Sequence, residues 1–216
     1  MEAGAKRLWM QAGGIPAAVK AVLETIPEWR PVELLEGIFE RETDLPGRGR
    51  PSQTDLLAIV RLQAGNAVLA VEGKVDEPFG PLVDDWLAGR ADAEAAATER
   101  GKGDGGANRK IRLVGLCKTL CVDPDTVGKL HYQLFHRTSA ALYEAQRFGY
   151  GRAAMLVHSF ASVPAAPAPP AGFAEFQAFA QAIGMPVASP DTISPAKICE
   201  GIEVRLAWVA DQATTS

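Results

Sequence analysis

The spacing of apolar residues divides the chain into a series of predicted helices and strands. Helices are predicted at residues 16–26 and 31–41, because apolar residues recur there three or four positions apart. Two almost continuously apolar runs follow at residues 54–62 and 67–74, with a turn at Gly65 and Asn66 between them. These runs predict a β-hairpin that is buried on both faces, as in the middle of a layered α/β sheet.

The remainder of the chain predicts helices that alternate with single strands. The segment at 91–108 is rich in Ala, Gly and charge and is interpreted as a mobile insertion or loop. The other predicted elements are a short helix at 82–87, a helix at 108–120 capped by Asn108, a helix at 130–148, a strand at 152–160, an extended linker at 162–172, a helix at 173–183 and a strand at 203–209.

This order of elements predicts an α/β fold with a mixed central β-sheet, which contains an antiparallel hairpin and is flanked by helices. We expect a single domain over residues 1–216, because the length suits one good core better than two. Its central part spans about residues 30–160, and a helix and a strand at 172–210 extend it.

Composition narrows the functional classes. A net charge of −4 argues against a wholly basic surface but does not exclude a local basic patch. The odd number of cysteines, Cys117, Cys121 and Cys199, favours a reduced cytoplasmic protein with buried thiols. No apolar run approaches the ~20 residues that span a bilayer, and residues 1–11 lack the order of a signal peptide.

Three charged residues, Asp55, Glu72 and Lys74, interrupt the apolar strands of the predicted hairpin. Because burying an unpaired charge is costly, each needs a partner, an exposed position or a function. A turn of two or four residues places Asp55 on the same face as Glu72 and Lys74, since side chains alternate along a strand. A three-residue turn would place Asp55 on the opposite face.

Two carboxylates and an ammonium group at one place suit the metal-assisted hydrolysis of a phosphodiester. Carboxylate oxygens are ligands for Mg²⁺, which keeps positions for waters and for the substrate phosphate. The metal lowers the pKa of its bound water and neutralises charge on the phosphate. A neighbouring lysine stabilises the negative charge that develops.

Asp55, followed after the hairpin by Glu72-Gly73-Lys74, resembles the D…(D/E)xK signature of the PD-(D/E)XK, or restriction-endonuclease-like, nuclease superfamily. The order helix, hairpin, helix, strand over residues 30–160 is similar to the core of that superfamily. The resemblance implies a DNA-cleaving, endonuclease-like phosphodiesterase with Mg²⁺ or Mn²⁺ as cofactor. It implies that Asp55 and Glu72 are the metal ligands and that Lys74 is the catalytic ammonium.

The resemblance implies supporting residues as well. Members often add a glutamate from the helix before the first strand, and Glu36 or Glu33 stands there. They also carry polar residues on the helix after the core, and those available here are Tyr132, Gln133 and Arg137. Many enzymes of this fold act as dimers, so a homodimer is a further expectation.

Structural interpretations of the same residues stay open. Asp55, Glu72 and Lys74 also fit an ion pair near a sheet end, and the alternative function is a catalytically inactive binding protein on the same fold. Two departures bear on this choice. Thr54 stands where the superfamily has a proline, and Gly73 stands where an apolar residue is common.

A basic stretch around the start of the predicted helix at 108–120 offers contacts to nucleic acid. Arg109, Lys110 and Arg112 are the candidate phosphate-binding residues, because phosphate contacts are the sequence-independent part of DNA binding. A solvated helix face explains the same residues equally well. His158 ends a predicted strand, and we expect a hydrogen-bonded strand-end histidine there rather than a general acid.

Overall fold

The fold is taken from a computed structural model, which describes residues 9–10, 14–89, 105–160 and 169–211. Within these ranges a seven-stranded sheet is flanked by helices. The strands are β1 (Glu33–Thr43), β2 (Ser52–Leu62), β3 (Gly65–Lys74), β4 (Arg152–Ser159), β5 (Thr192–Ile193), β6 (Lys197–Cys199) and β7 (Ile202–Ala210). The helices are α1 (Ala17–Leu23), α2 (Val83–Leu87), α3 (Gly105–Thr119), α4 (Tyr132–Phe148) and α5 (Phe173–Ala182), with 3-10 turns at Pro27–Trp29 and Pro124–Thr126.

The sheet is mixed, with the strand order β1-β2-β3-β4-β7-β5 and β6 paired with β7. β1, β2 and β3 form an antiparallel meander. The chain then passes through α2, α3 and α4 before it returns as β4, which is parallel to β3. β7 is parallel to β4, whereas β5 and β6 are antiparallel to β7. The predicted α/β class with a mixed sheet, an antiparallel hairpin and flanking helices is confirmed.

Two apolar layers cover the faces of the sheet. On one face, side chains of β3 and β4 such as Ala70 and Met155 pack with α4 and α5. On the other face, Leu69 and Leu156 pack with α1 and with Trp29. Because the central strands are buried on both faces, their sequences are nearly continuous apolar runs, which is why the hairpin could be predicted.

The predicted helix at 31–41 is wrong, since β1 occupies these positions. Ile38 packs into the α4 side of the sheet and Phe39 into the opposite side, so the apolar residues follow the two-residue period of a strand. Gly37 would weaken a helix by about 1 kcal/mol. As an edge strand, β1 also keeps many polar residues exposed, and this produced the apparent helical spacing.

The hairpin turn lies two residues earlier than predicted. Leu62 pairs with Gly65, so the turn residues are Gln63 and Ala64, and Gly65 already belongs to β3. The numbers of paired residues, such as Leu56 and Val71, nevertheless add to an odd sum, as they would for either of the even-length turns. The same side chains therefore share a face of the sheet. The prediction that Asp55 shares a face with Glu72 does not depend on which of these turns forms.

The start of α3 also differs from the prediction. α3 begins at Gly105, so Asn108 lies within it and does not cap it. The Asn108 side chain instead accepts a hydrogen bond from the backbone N–H of Arg48 at 2.6 Å and donates one to the Arg48 carbonyl oxygen. Most of the predicted insertion at 91–108, and the linker positions 162–168, lie outside the described residues.

The cysteines agree with the sequence expectation in part. Cys117 and Cys199 are buried and free, and burial raises the pKa of each thiol to about 11. Cys121 is exposed, and it follows α3 with a left-handed backbone conformation at a φ of 53°. The expectation that Cys117 and Cys121 are both buried is therefore wrong for Cys121.

Candidate functional site

The candidate site lies where β2 and β3 separate. Their paired register ends at Leu56 and Val71, and from Glu72 onward β3 continues beside β4. The fork leaves the edge of β3 without its β2 partner. The carboxylate of Asp55 fills this position, with Oδ2 accepting the backbone N–H of Gly73 at 2.8 Å. The sheet itself therefore brings Asp55 to the strand segment that carries Glu72 and Lys74.

Glu72 is buried at the centre of the site. Its Oε2 accepts a hydrogen bond from Nε of Arg137 at 2.6 Å, and its Oε1 accepts one from Nε2 of Gln133 at 2.6 Å. The ammonium of Lys74 lies 3.6 Å from Oε1. Both oxygens of the carboxylate are thus engaged by side chains of α4.

Lys74 is equally buried, and its ammonium group contacts both side chains and backbone. Nζ donates to Oε1 of Gln133 and to the carbonyl oxygen of Pro78, both at 3.2 Å, in addition to its ion pair with Glu72. It also lies 4.9 Å from the ring centroid of Phe79, within the range of a cation–π contact. The two hydrogen bonds use two of the three donors of the ammonium group.

A second set of contacts extends the network toward the start of β2. Nη1 of Arg137 donates to Oγ of Ser52 at 3.2 Å, and Oγ lies 2.9 Å from Nδ1 of His136. Burial lowers the pKa of His136 well below 6.5, and the charges of Arg137 and Arg112 lower it further. His136 is therefore neutral, and Ser52 can donate its hydroxyl hydrogen to Nδ1.

The charges of the site balance. Asp55 and Glu72 supply two negative charges, and Lys74 and Arg137 supply two positive charges. Burial raises the pKa of Glu72 above 4.5, and Asp55 raises it further, whereas Arg137 and Lys74 act in the opposite direction. Burial and the two cations therefore act on the Glu72 carboxyl in opposite directions, and burial is the larger influence on its pKa.

Two carboxylates of the site, Asp55 and Glu72, are the residues that could hold a magnesium ion. Mg²⁺ is usually held by one or two carboxylates together with waters and substrate phosphates, and Asp55 and Glu72 supply such a pair. Among the described residues, no group of three or more His, Cys, Asp or Glu side chains is arranged to hold a metal.

The other carboxylates that the sequence suggested lie elsewhere. Glu36 is exposed on β1 opposite Ile59, four residues along β2 from Asp55, or about 13 Å. Glu33 is exposed and pairs with Arg61 at 3.3 Å. Neither lies on a helix, so the expected contribution of a helical glutamate is not met.

The three basic residues proposed for DNA differ in their surroundings. Arg112 is buried and donates to the carbonyl oxygens of Pro46 and Arg50 at 3.1 and 2.8 Å, which ties α3 to the loop between β1 and β2. Arg109 is partly buried, and Lys110 is exposed. Arg112 is thus engaged by the protein itself.

The helix α4 supplies site residues that the sequence indicated only weakly. Gln133 and Arg137 are four apart, so both reach the sheet from one helix face. Their spacing was visible in the sequence, but the resemblance offered Tyr132 equally as a supporting polar residue. In the structure Tyr132 stacks on Trp86, with ring centroids 3.8 Å apart. Ser52 carried no signal as a network member.

His158 lies beside the site on β4, opposite Gly73, but its bonds point elsewhere. Nδ1 accepts a hydrogen bond from Nε1 of Trp9 at 3.2 Å, and Nε2 lies 3.2 Å from Oδ2 of Asp211. Burial lowers the pKa of His158 below 6.5, although Asp211 opposes this shift. This geometry is that of a hydrogen-bonded strand-end histidine.

None of the helices in the described part of the chain combines the length and the apolar composition that crossing a membrane requires. Comparison with curated proteins and with solved structures finds no match. A family described as a domain of unknown function, DUF6946, matches residues 4–213. Because this match covers nearly the whole sequence, the chain belongs to the DUF6946 family.

Proposed function

We propose that this protein is a metal-dependent phosphodiesterase of the endonuclease type that acts on DNA and uses Mg²⁺ or Mn²⁺. The observation that carries the proposal is the meeting of Asp55, Glu72 and Lys74 at the fork between β2 and β3. Carboxylates and an ammonium group are the groups that this chemistry needs, and they are held close together by strands rather than by flexible loops.

The topology supports the same proposal. α1, the hairpin of β2 and β3, α4 and β4 occur along the chain in the order that the restriction-endonuclease-like core also has, with β1 before the hairpin and α2 and α3 after it. Glu72 and Lys74 lie at the carboxyl end of β3, where β3 is paired in parallel with β4. In open α/β sheets, ligands bind outside the carboxyl ends of parallel strands.

The proposal gives each residue a task. Asp55 and Glu72 would hold the metal, which when bound supplies an activated water and neutralises charge on the phosphate. Lys74 would stabilise the negative charge that develops on the phosphate oxygens, since its ammonium is already oriented by Gln133 and the Pro78 carbonyl oxygen.

A cleavage assay tests the proposal. Purified protein is incubated with supercoiled, linear and single-stranded DNA in Mg²⁺ or Mn²⁺, beside Asp55→Asn and Lys74→Met. We expect cleavage by the wild type and a loss of at least about a hundredfold in each variant. Glu36→Gln is the matched control, because Glu36 is exposed on β1 and its loss leaves the site intact. Full activity of Asp55→Asn would overturn the assignment.

One observation favours a second candidate function, a catalytically inactive binding protein on the same fold. Both oxygens of Glu72 are engaged by Gln133 and Arg137 at 2.6 Å, as in a structural ion-pair network. An inactive protein would show no metal-dependent cleavage of DNA. In such a protein, Asp55→Asn would alter the stability without altering the binding of DNA. The same assay, read together with thermal unfolding of Asp55→Asn, separates the two functions.

A further inference from the structure

We propose that Arg137 is a phosphate-binding residue that holds Glu72 until a phosphodiester arrives, so that metal and DNA bind the site cooperatively. The inference rests on the proposed function and deepens it. It concerns the order in which the groups of the site change partners: the phosphate takes Arg137, and Glu72 is released to the metal.

Arg137 is placed to meet a ligand first. Its side chain is 12% exposed, against 6% for Glu72 and 5% for Lys74. A guanidinium has five N–H donors, and the contacts to Glu72 and Ser52 use Nε and Nη1. Its planar fork matches the geometry of a phosphate as well as that of a carboxylate.

Electrostatic balance makes the exchange cooperative. The site is neutral as it stands, with two carboxylates against Lys74 and Arg137. A divalent cation alone would leave this site with a net positive charge, and a phosphodiester alone would leave it with a net negative charge. An uncompensated charge in a poorly hydrated site is costly. Metal and phosphate together largely cancel each other, so each favours the binding of the other.

The exchange also conserves hydrogen bonds. Arg137 loses a charge-assisted bond to Glu72 and gains one to phosphate, while Glu72 replaces a guanidinium with a metal ion. Ser52 lies at the other side of the guanidinium and provides a fixed partner during the change. Gln133 holds Oε1 of Glu72 at 2.6 Å throughout, so Glu72 keeps its position on β3.

Calorimetry of MgCl₂ binding tests the inference, with and without a short phosphorothioate DNA duplex as the phosphate probe. The proteins are the wild type, Glu72→Gln, Arg137→Gln and Arg137→Lys, all at the same pH. The matched control is Arg147→Gln, because Arg147 is an exposed residue near the end of the same helix. Thermal unfolding establishes that each variant is folded, and Arg137→Lys retains the charge if Arg137→Gln does not fold.

For the wild type and Arg147→Gln, we expect the duplex to strengthen Mg²⁺ binding by at least about fivefold. Arg137→Gln should bind Mg²⁺ more tightly than the wild type when no DNA is present, and it should lose most of the enhancement. Arg137→Lys should bind Mg²⁺ alone as weakly as the wild type does, because the positive charge beside Glu72 remains.

Two results would overturn the inference in different ways. If Mg²⁺ binds the wild type equally well with and without duplex, and Glu72→Gln abolishes that binding, the cooperative exchange is wrong and the proposed function stands. If no protein binds Mg²⁺ under either condition, both the inference and the proposed function fail.

Discussion

At the scale of single residues, the site is defined by four charged side chains that share a small, poorly hydrated space. Glu72 contacts both Arg137 and Lys74, and Asp55 is bonded to the backbone beside it. A buried ion pair contributes little net stability compared with a well-packed apolar pair, but loss of one member leaves an uncompensated charge. Substitution of a single one of these residues is therefore expected to change the stability of the protein as well as the proposed function.

The first prediction concerns the pair of Glu72 and Arg137. Arg137→Met should lower the free energy of unfolding by about 3 kcal/mol, because Glu72 then stays buried without its closest cation. Adding Glu72→Gln should recover part of this loss, since a neutral amide needs no counter-ion. Urea denaturation of both single variants and the double variant measures the coupling between the two side chains.

The surface pair of Arg61 and Glu33 is the control for this comparison. Their side chains are 62% and 51% exposed, so Arg61→Met should change the free energy of unfolding by less than about 1 kcal/mol. Strictly additive effects of the Glu72 and Arg137 substitutions would contradict the account of the buried pair.

The second prediction concerns His158 and pH. Because burial lowers its pKa in the folded protein below 6.5, the unfolded chain binds the proton first. The stability that neutral His158 contributes is present above pH 6.5 and is lost as the pH falls through 6.5 toward the folded pKa. His158→Gln should reduce the acid dependence of the free energy of unfolding, measured by urea denaturation from about pH 7 to about pH 5.5.

His131→Gln serves as the matched variant for this pH series. His131 is partly exposed and bonds the carbonyl oxygen of Gly80. We expect its variant to keep the acid dependence of the wild type. An unchanged acid slope in His158→Gln would show that His158 is not the neutral, buried histidine described above.

At the scale of elements, α4 does most to build the site. It leads the chain into β4, and it carries Gln133 and Arg137 on the face that meets β3. The same helix anchors β1, because buried Glu144 accepts hydrogen bonds from Arg41 and Thr43. A change in the docking of α4 would thus disturb both the site and the edge strand of the sheet.

The third prediction separates two basic residues of α3. Arg112→Ala should lower the free energy of unfolding by about 2 kcal/mol, since its bonds to two loop carbonyls are lost. Lys110→Ala should leave stability unchanged but weaken DNA binding and reduce its salt dependence by about one counterion. Urea denaturation and fluorescence anisotropy at several salt concentrations measure the two effects. Arg112→Ala that is fully stable yet binds DNA poorly would reverse this assignment.

At the scale of the whole molecule, the sequence was informative wherever burial was continuous. The runs that became β2, β3 and β4 are apolar on both faces, so their existence and the mixed sheet followed from pattern alone. β1 was misassigned as a helix, because this edge strand has only a few apolar residues and keeps many polar residues exposed. β5 and β6 are too short to leave a periodic signal.

The candidate site was predictable to the extent that local geometry determines it. The alternation of side chains brought Asp55 together with Glu72 and Lys74 for any even-length turn, even though the turn itself was misplaced. The bond between Arg137 and Glu72 joins residues 65 positions apart, and it depends on how α4 packs against the sheet. Tertiary packing of this kind has no local signature in the sequence.

The proposed function requires that the carboxylates of Asp55 and Glu72 share a metal ion. A crystal structure with Mn²⁺ and a phosphorothioate DNA duplex tests this most directly, because anomalous scattering locates the manganese. We predict one Mn²⁺ bound by Asp55 and Glu72, with Arg137 turned from Glu72 to a phosphate oxygen. Manganese bound elsewhere, with Glu72 still paired to Arg137 in the presence of duplex, would contradict the proposed metal site.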